Sequence, residues 1–125
     1  MIYGTGVDIV KIERIENVIK KWGDRFIDRV FTPDEKAFCS KRVRSHNAFA
    51  LRFAAKEAFS KALGTGMRQG VFWRDIEVFH YKSGKPGLNI YGVSHSLCEK
   101  EGITSFHVSL SDEDEYGIAM VILEK

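Results

Sequence analysis

RFAAKEAFSKALGTG, residues 52–66, is the stretch on which the fold turns. It is built from strong helix formers with no internal Gly or Pro, and Gly64 supplies a stop. The spacing predicts one long helix from Ala48 to Leu63. Ala54, Ala55 and Ala58 keep this helix slim, so another element can approach closely. Glu57 and Lys61 stand four apart and share a face. Arg52, a turn and a half earlier, is placed near the same side. The plain reading is a surface ion pair worth tenths of a kcal/mol; the functional one is a charged face held for a ligand. Gly64-Thr65-Gly66 reads first as a helix-terminating loop. Its backbone N–H groups could also wrap a phosphate. It is no Walker loop, because it follows its helix and lacks the GK[ST] ending.

Upstream, Ile2 to Val10 reads as a buried strand, with Gly4 and Gly6 allowing close backbone approach. Asp8 interrupts its apolar run. A buried unpaired carboxylate costs several kcal/mol, so Asp8 must be paired, protonated, at a strand end or on a cation. The plain reading is a strand-end carboxylate capping the next helix. From Ile12 the period changes: Ile12, Ile15, Ile19 and Trp22 follow helical spacing and Gly23 ends the run. Lys11, Arg14, Lys20 and Lys21, with Arg25 beyond, give this helix a basic face, either solvated or a docking surface for an acidic partner. Arg14 and Lys21 are seven apart, nearly on one line, and Arg25 could extend it. Arg25 to Val30 predicts a short helix packing Phe26 and Val30. In Thr32-Pro33-Asp34-Glu35, Thr32 caps, Pro33 takes the first helical position and Glu35 completes a capping box. The helix it starts is expected to run to about Val43, with RVRSHN as a polar connection.

Downstream, Ile76, Val78 and His80 alternate as a strand, YKSGKPG turns, and Leu88 to Tyr91 returns as the partner strand. Val93 to Glu101 predicts a short helix. The end is a hairpin, Ser105–Ser111 with Tyr116–Leu123, around an acidic turn. Alternation puts His107, Ser109 and Ser111 on one face and Val108 and Leu110 on the other. Strand, helices, then paired antiparallel strands indicate an α+β class. No spacing suggests a Ser-His-Asp triad or a zinc motif.

At 125 residues the chain is about one domain, long enough for a real core. Its 44% hydrophobic and 29% charged residues argue against disorder. A net charge of +2 does not by itself suggest a nucleic-acid coat. Cys39 and Cys98 lie outside any CxxC, which excludes a disulfide scaffold and predicts free buried thiols. No apolar run approaches a membrane span, and Asp8 comes too early for a signal peptide. One soluble intracellular domain, residues 1–125, is the expectation.

Taken together, GVDIVKIERI, RFAAKEAFSKALGTG, GKP and HVSLS resemble the holo-acyl-carrier-protein synthases, the short bacterial 4′-phosphopantetheinyl transferases. The motifs fall in the same order and at matching spacing over almost the whole chain. The resemblance implies the 4′-phosphopantetheinyl transferase fold, an antiparallel sheet packed with helices, assembled as a homotrimer with active sites between subunits. It implies transfer of phosphopantetheine from coenzyme A to a serine of apo-acyl carrier protein, releasing adenosine 3′,5′-bisphosphate, in cytoplasmic fatty-acid biosynthesis. Asp8 and Glu57 are then the magnesium ligands, and Lys61 and Arg52 contact the coenzyme phosphates. Gly64, Thr65, Gly66, Lys85 and Pro86 border the coenzyme, and His107 reaches a neighbour's. Asp8, Glu57 and Lys61 form the catalytic set, with Arg14, Lys21 and Arg25 docking the acidic carrier. Where many relatives carry a second histidine after the HVS strand, this chain has Asp112.

The chemistry agrees with that transfer. Magnesium commonly takes one or two carboxylates plus substrate phosphates, which gives a carboxylate in an apolar strand a reason. Displacement at phosphorus depends on positioning and charge stabilisation. Glu57 or a water on the metal could take the serine proton. Two rival readings stay open: a basic module binding nucleic acid through the first helix, and a magnesium-dependent phosphohydrolase.

Overall fold

A computed structural model describes residues 1–125. Strand β1 (Ile2–Lys11) leads into α1 (Ile12–Trp22), α2 (Asp24–Val30), α3 (Pro33–Ser40) and the long α4 (Ser45–Leu63). A 3-10 turn, Trp73–Asp75, precedes the hairpin of β2 (Ile76–His80) and β3 (Pro86–Ile90). Helix α5 (Gly92–Lys100), β4 (Ser105–Asp112) and β5 (Tyr116–Glu124) complete an α+β arrangement. Both sheets are antiparallel: a three-stranded one in the order β1-β5-β4, and the β2-β3 pair. The central strand of the larger sheet is the last in sequence. The chain ends meet there, with the Lys125 N–H donating to the Met1 carbonyl at 2.8 Å.

The predicted elements are all present, with shifted ends. The capping box at Thr32 forms in full, but α3 stops at Ser40 rather than near Val43. Helix α4 starts at Ser45, so half of the presumed connection RVRSHN is helical. Cys39 and Cys98 are free and buried, and burial pushes both thiols up to about 11.

The larger correction concerns β1. It is a strand, but not one buried on both faces. Its inner face, Gly4, Gly6, Asp8 and Val10, lies on α4, while Val7 and Ile9 stand 53% and 64% exposed. The register sets Val7 beside Met120 and Ser109, and Ile9 beside Ile118 and Ser111. The β1–β5 part of the outer sheet face is thus an apolar surface open to solvent, bordered by the polar residues of β4.

Gly4 and Gly6 explain how close β1 comes to α4. A methyl group built on Gly6 would fall on the Ala58 carbonyl and lie 2.8 Å from the Ala62 nitrogen. One on Gly4 would strike the carbonyl of Ala62. Bare backbone on the strand therefore packs against the small-residue side of the helix, and the next inward residue, Asp8, reaches the α4 surface.

Candidate active site

Three features converge where β1 crosses α4. Asp8 points inward from the strand and accepts from Lys61 Nζ at 3.0 Å. The same ammonium donates to the Val7 carbonyl at 3.1 Å. Glu57, one turn before Lys61, is partly buried on the same stripe of the helix. Burial pushes its carboxyl above the ordinary glutamate value and the charge of Asp8 pushes it further, while Lys61 and Arg14 pull it back. Two carboxylates therefore feel each other across the strand–helix seam, with an ammonium beside them.

This settles several sequence readings. Asp8 does not cap α1: the residue at that cap is Lys11, and no side chain bonds the helix end. Lys61 pairs with Asp8 rather than with Glu57. Arg52 is not on the side of Glu57, because five residues turn the helix by about 500°, which leaves them about 140° apart. Arg52 is instead 2% exposed. Its Nη2–H donates to His80 Nδ1 at 3.2 Å, and its guanidinium lies 4.3 Å over the Phe38 ring. Its Nε has no partner. This arginine opens on a groove of about 550 Å³ that Lys41, Arg42, Arg44 and Asp112 also line. Asp112 accepts there from Asn47 Nδ2 at 3.0 Å, tying the end of β4 to α4.

The Gly64–Gly66 turn ends α4 as the plain reading expects, with Gly64 left-handed at φ 90°. The N–H groups of Gly64, Thr65 and Gly66 all point at the Ser60 carbonyl, at 3.1, 3.2 and 3.2 Å. Those donors are spent on the helix end, so they do not form a phosphate cradle. Lys85 and Pro86 do share a cleft of about 540 Å³ with His107. His107 lies on the outer sheet face, as alternation predicts, with Nε2 2.6 Å from Glu124 Oε1. Asp8 lies on the inner face, so the sheet separates the two within one chain.

Arg14 and Lys21 on α1 and Arg25 at the start of α2 are all exposed. Between the last two stands a residue the periodicity assigned to the apolar stripe: Trp22 is 48% exposed. Lys21 Nζ and the Arg25 guanidinium lie 5.2 and 5.7 Å from its ring. Sequence reading also passed over Lys56, which is fully buried. Its position between Phe53 and Phe59 was the available signal.

Nowhere do three or more His, Cys, Asp or Glu side chains gather into a metal-binding group. Two carboxylates are what the chain offers a cation at this seam. That suits an ion that keeps its waters and shares substrate phosphates, and not one needing a full protein cage. No helix is long and apolar enough to cross a membrane.

The 4′-phosphopantetheinyl transferase superfamily matches residues 4–121. The holo-[acyl-carrier-protein] synthase of Geobacter sp. (strain M21) is 47% identical over 125 residues, covering 100% of both chains. That of Syntrophus aciditrophicus (strain SB) is 46% identical, covering 99% of this chain and 97% of its own. The crystal structure of holo-[acyl-carrier-protein] synthase from Neisseria meningitidis matches with a TM-score of 0.93 at 42% identity, over 100% of each chain. The Helicobacter pylori synthase in complex with coenzyme A matches at 0.85 and 30%, over 96% of this chain and 99% of that one.

Proposed function

Because the chain belongs to the holo-acyl-carrier-protein synthases of the 4′-phosphopantetheinyl transferase superfamily, we propose that it loads acyl carrier protein. Residues 1–125 work as one transferase domain, in the cytoplasm, in fatty-acid biosynthesis. The carrier serine attacks the phosphorus that bears the pantetheine arm, and the bond to the adenosine 3′,5′-bisphosphate half breaks. The observation that carries the reading is the ion pair of Lys61 with Asp8 on one side of the seam and Glu57, one helical turn before Lys61, close enough to feel the charge of Asp8.

The two carboxylates fit magnesium, since each raises the need for a cation near the other. When bound, magnesium supplies neutralisation of the coenzyme pyrophosphate. Lys61 is half exposed, so its ammonium is free to turn from Asp8 to a phosphate oxygen as charge develops on the leaving group. Asp8 is held by strand pairing to β5, and Glu57 by a helix buried on most sides, so neither carboxylate has to be ordered during the reaction. Gly64 to Gly66, just beyond Lys61, border the coenzyme's path, while Arg52 offers its charge to a coenzyme phosphate from its own groove on another side of α4.

A homotrimer completes the site. The apolar outer face of the sheet is the surface that another copy covers, with Val7, Ile9, Ile118 and Met120 at its centre. The cleft of Lys85, Pro86 and His107 then serves the coenzyme held at the Asp8 and Glu57 of a neighbouring subunit. The carrier docks on Arg14, Lys21 and Arg25, where exposed cations match its acidic surface.

The test is incubation with coenzyme A, magnesium and an apo-carrier, read by mass spectrometry. A gain of one phosphopantetheine arm on the carrier is the expected result. Coenzyme cleavage without carrier modification would replace transfer by hydrolysis.

A further inference from the structure

Helix α4 carries a second charged group that the reaction does not use. Lys56 is 0% exposed and its partner Glu35 is 1% exposed. Lys56 Nζ donates to Glu35 Oε1 at 2.7 Å, to the Trp73 carbonyl at 3.0 Å and to the Ile76 carbonyl. All three of its donors are used. Glu35 also accepts from the backbone N–H groups of Thr32 and Val78, both at 3.0 Å. The Thr32 hydroxyl donates to Glu77, which in turn accepts from Asn89 Nδ2 at 3.2 Å and the Tyr91 hydroxyl at 3.1 Å. One connected network therefore fastens α4 to the start of α3 and to the β2-β3 hairpin.

Such a pair is a poor choice for stability alone, because apolar replacements of similar volume are often neutral or better. Its place on the helix points to another role. Each residue advances an α-helix by about 100°, so Lys56 and Ala58 lie about 200° apart, on nearly opposite sides. Ala58 and Ala62 take the contact of Gly6 and Gly4. Lys56 is pinned on the far side. Glu57 falls between these two fixed sides, and Lys61 follows on its stripe.

We propose that Lys56 is a positioning residue: its pinned ammonium fixes the rotation of α4 so that Glu57 and Lys61 face Asp8. Neither the coenzyme nor the carrier needs to touch it. The proposal rests on the transfer reading only for its activity readout.

The experiment compares three variants of the full chain. Glu35→Gln/Lys56→Met removes both charges, leaving neither buried unpaired. Glu35→Gln/Lys56→Gln keeps a neutral hydrogen bond. Val30→Ala removes buried volume in α2, away from the site. Each is assayed about 20 °C below its own melting temperature, so that all are folded. Coenzyme A affinity is measured by calorimetry with magnesium present, and the carrier KM is measured separately. The Met variant should bind coenzyme A about tenfold more weakly with an unchanged carrier KM, because a small misplacement at the site is costly. The Gln variant should fall between it and the parent, and Val30→Ala should bind normally despite its lower melting temperature.

Coenzyme affinity within about twofold of the parent in the Met variant overturns the proposal, as does an equal loss in Val30→Ala. Should the Met variant fail to fold, the Gln variant decides by the same criteria. Failure of both makes Lys56 a folding residue and also overturns the proposal. A parent protein that binds coenzyme A without transferring its arm refutes the transferase reading but leaves this comparison intact.

Discussion

Gly6→Ala tests whether the contact between β1 and α4 sets the site. The added methyl would fall on the Ala58 carbonyl and lie 2.8 Å from the Ala62 nitrogen, where ordinary contact begins at 3.4 Å. Both neighbours are backbone of a helix packed on its other sides, so neither can give way by a rotamer change. The strand must lift by on the order of 1 Å, an overpacking that costs about 3 kcal/mol at the upper end of its usual range. For a chain of this size that lowers the melting temperature by about 10 °C. Asp8 rides on the same strand two residues later. A displacement of that size at the reacting groups costs about 10²-fold in turnover. Calorimetric melting and the carrier-loading assay, the latter run well below the transition, measure the two effects separately. Unchanged melting and unchanged turnover would refute the close-packing argument. Lost stability with full turnover would show that the site does not depend on this contact.

Three further outcomes follow from other parts of the molecule. Asp8→Asn should lower turnover by about 10²-fold while shifting stability by less than about 1 kcal/mol, since its partner Lys61 is half exposed; near-parental turnover at ordinary magnesium would remove Asp8 from the reaction. Met120→Lys puts a charge in the exposed apolar sheet face, and sedimentation should then show a smaller species with lost activity; an unchanged mass would mean that the face is not the subunit contact. His80 is held below its ordinary value of 6.5 by burial first, then by the charges of Arg52 and Arg42. The unfolded chain thus binds a proton that the folded chain refuses, so stability present above pH 6.5 declines as pH falls below it; urea titrations of His80→Gln should show a shallower decline over that window, and an identical slope would contradict the assignment.

Much of the fold was legible because its signals are local. Thr32 to Glu35 carries its capping box within four residues, and the stop at Gly64 is a single residue's backbone preference. Asp8 and Glu57 stood out because each conflicts with its surroundings: one is a charge in an apolar strand, the other a charge on a helix of alanines. What failed depended on partners distant in sequence. Val7 and Ile9 read as buried because an exposed apolar strand face has the composition of a core. Arg52 and Glu57 looked adjacent in a short motif although helical geometry turns them apart. Lys56 was hidden by its neighbour: in the run Lys-Glu the two charges look equivalent, and only the helix period shows that one points into the core. The polar network around it draws on Glu35, Trp73 and Ile76, none of which a local reading connects.

The order of strands in the larger sheet has a consequence for how the protein is made. Strands β1 and β4 do not pair with each other; each pairs only with β5, which ends at Glu124. While the chain is being synthesised, Asp8 is therefore on a strand with no partner along either edge. At about 5–20 residues per second, that strand waits on the order of ten seconds, its apolar side exposed, before the nine residues of β5 emerge to pair with it. The sheet can close only after β5 has left the ribosome, and the pairing of β1 with β5 is the kind of non-local contact that slows folding. A premature stop at the start of β5 would leave both outer strands unpaired, so the codons of β5 carry as much of the architecture as the motif residues do.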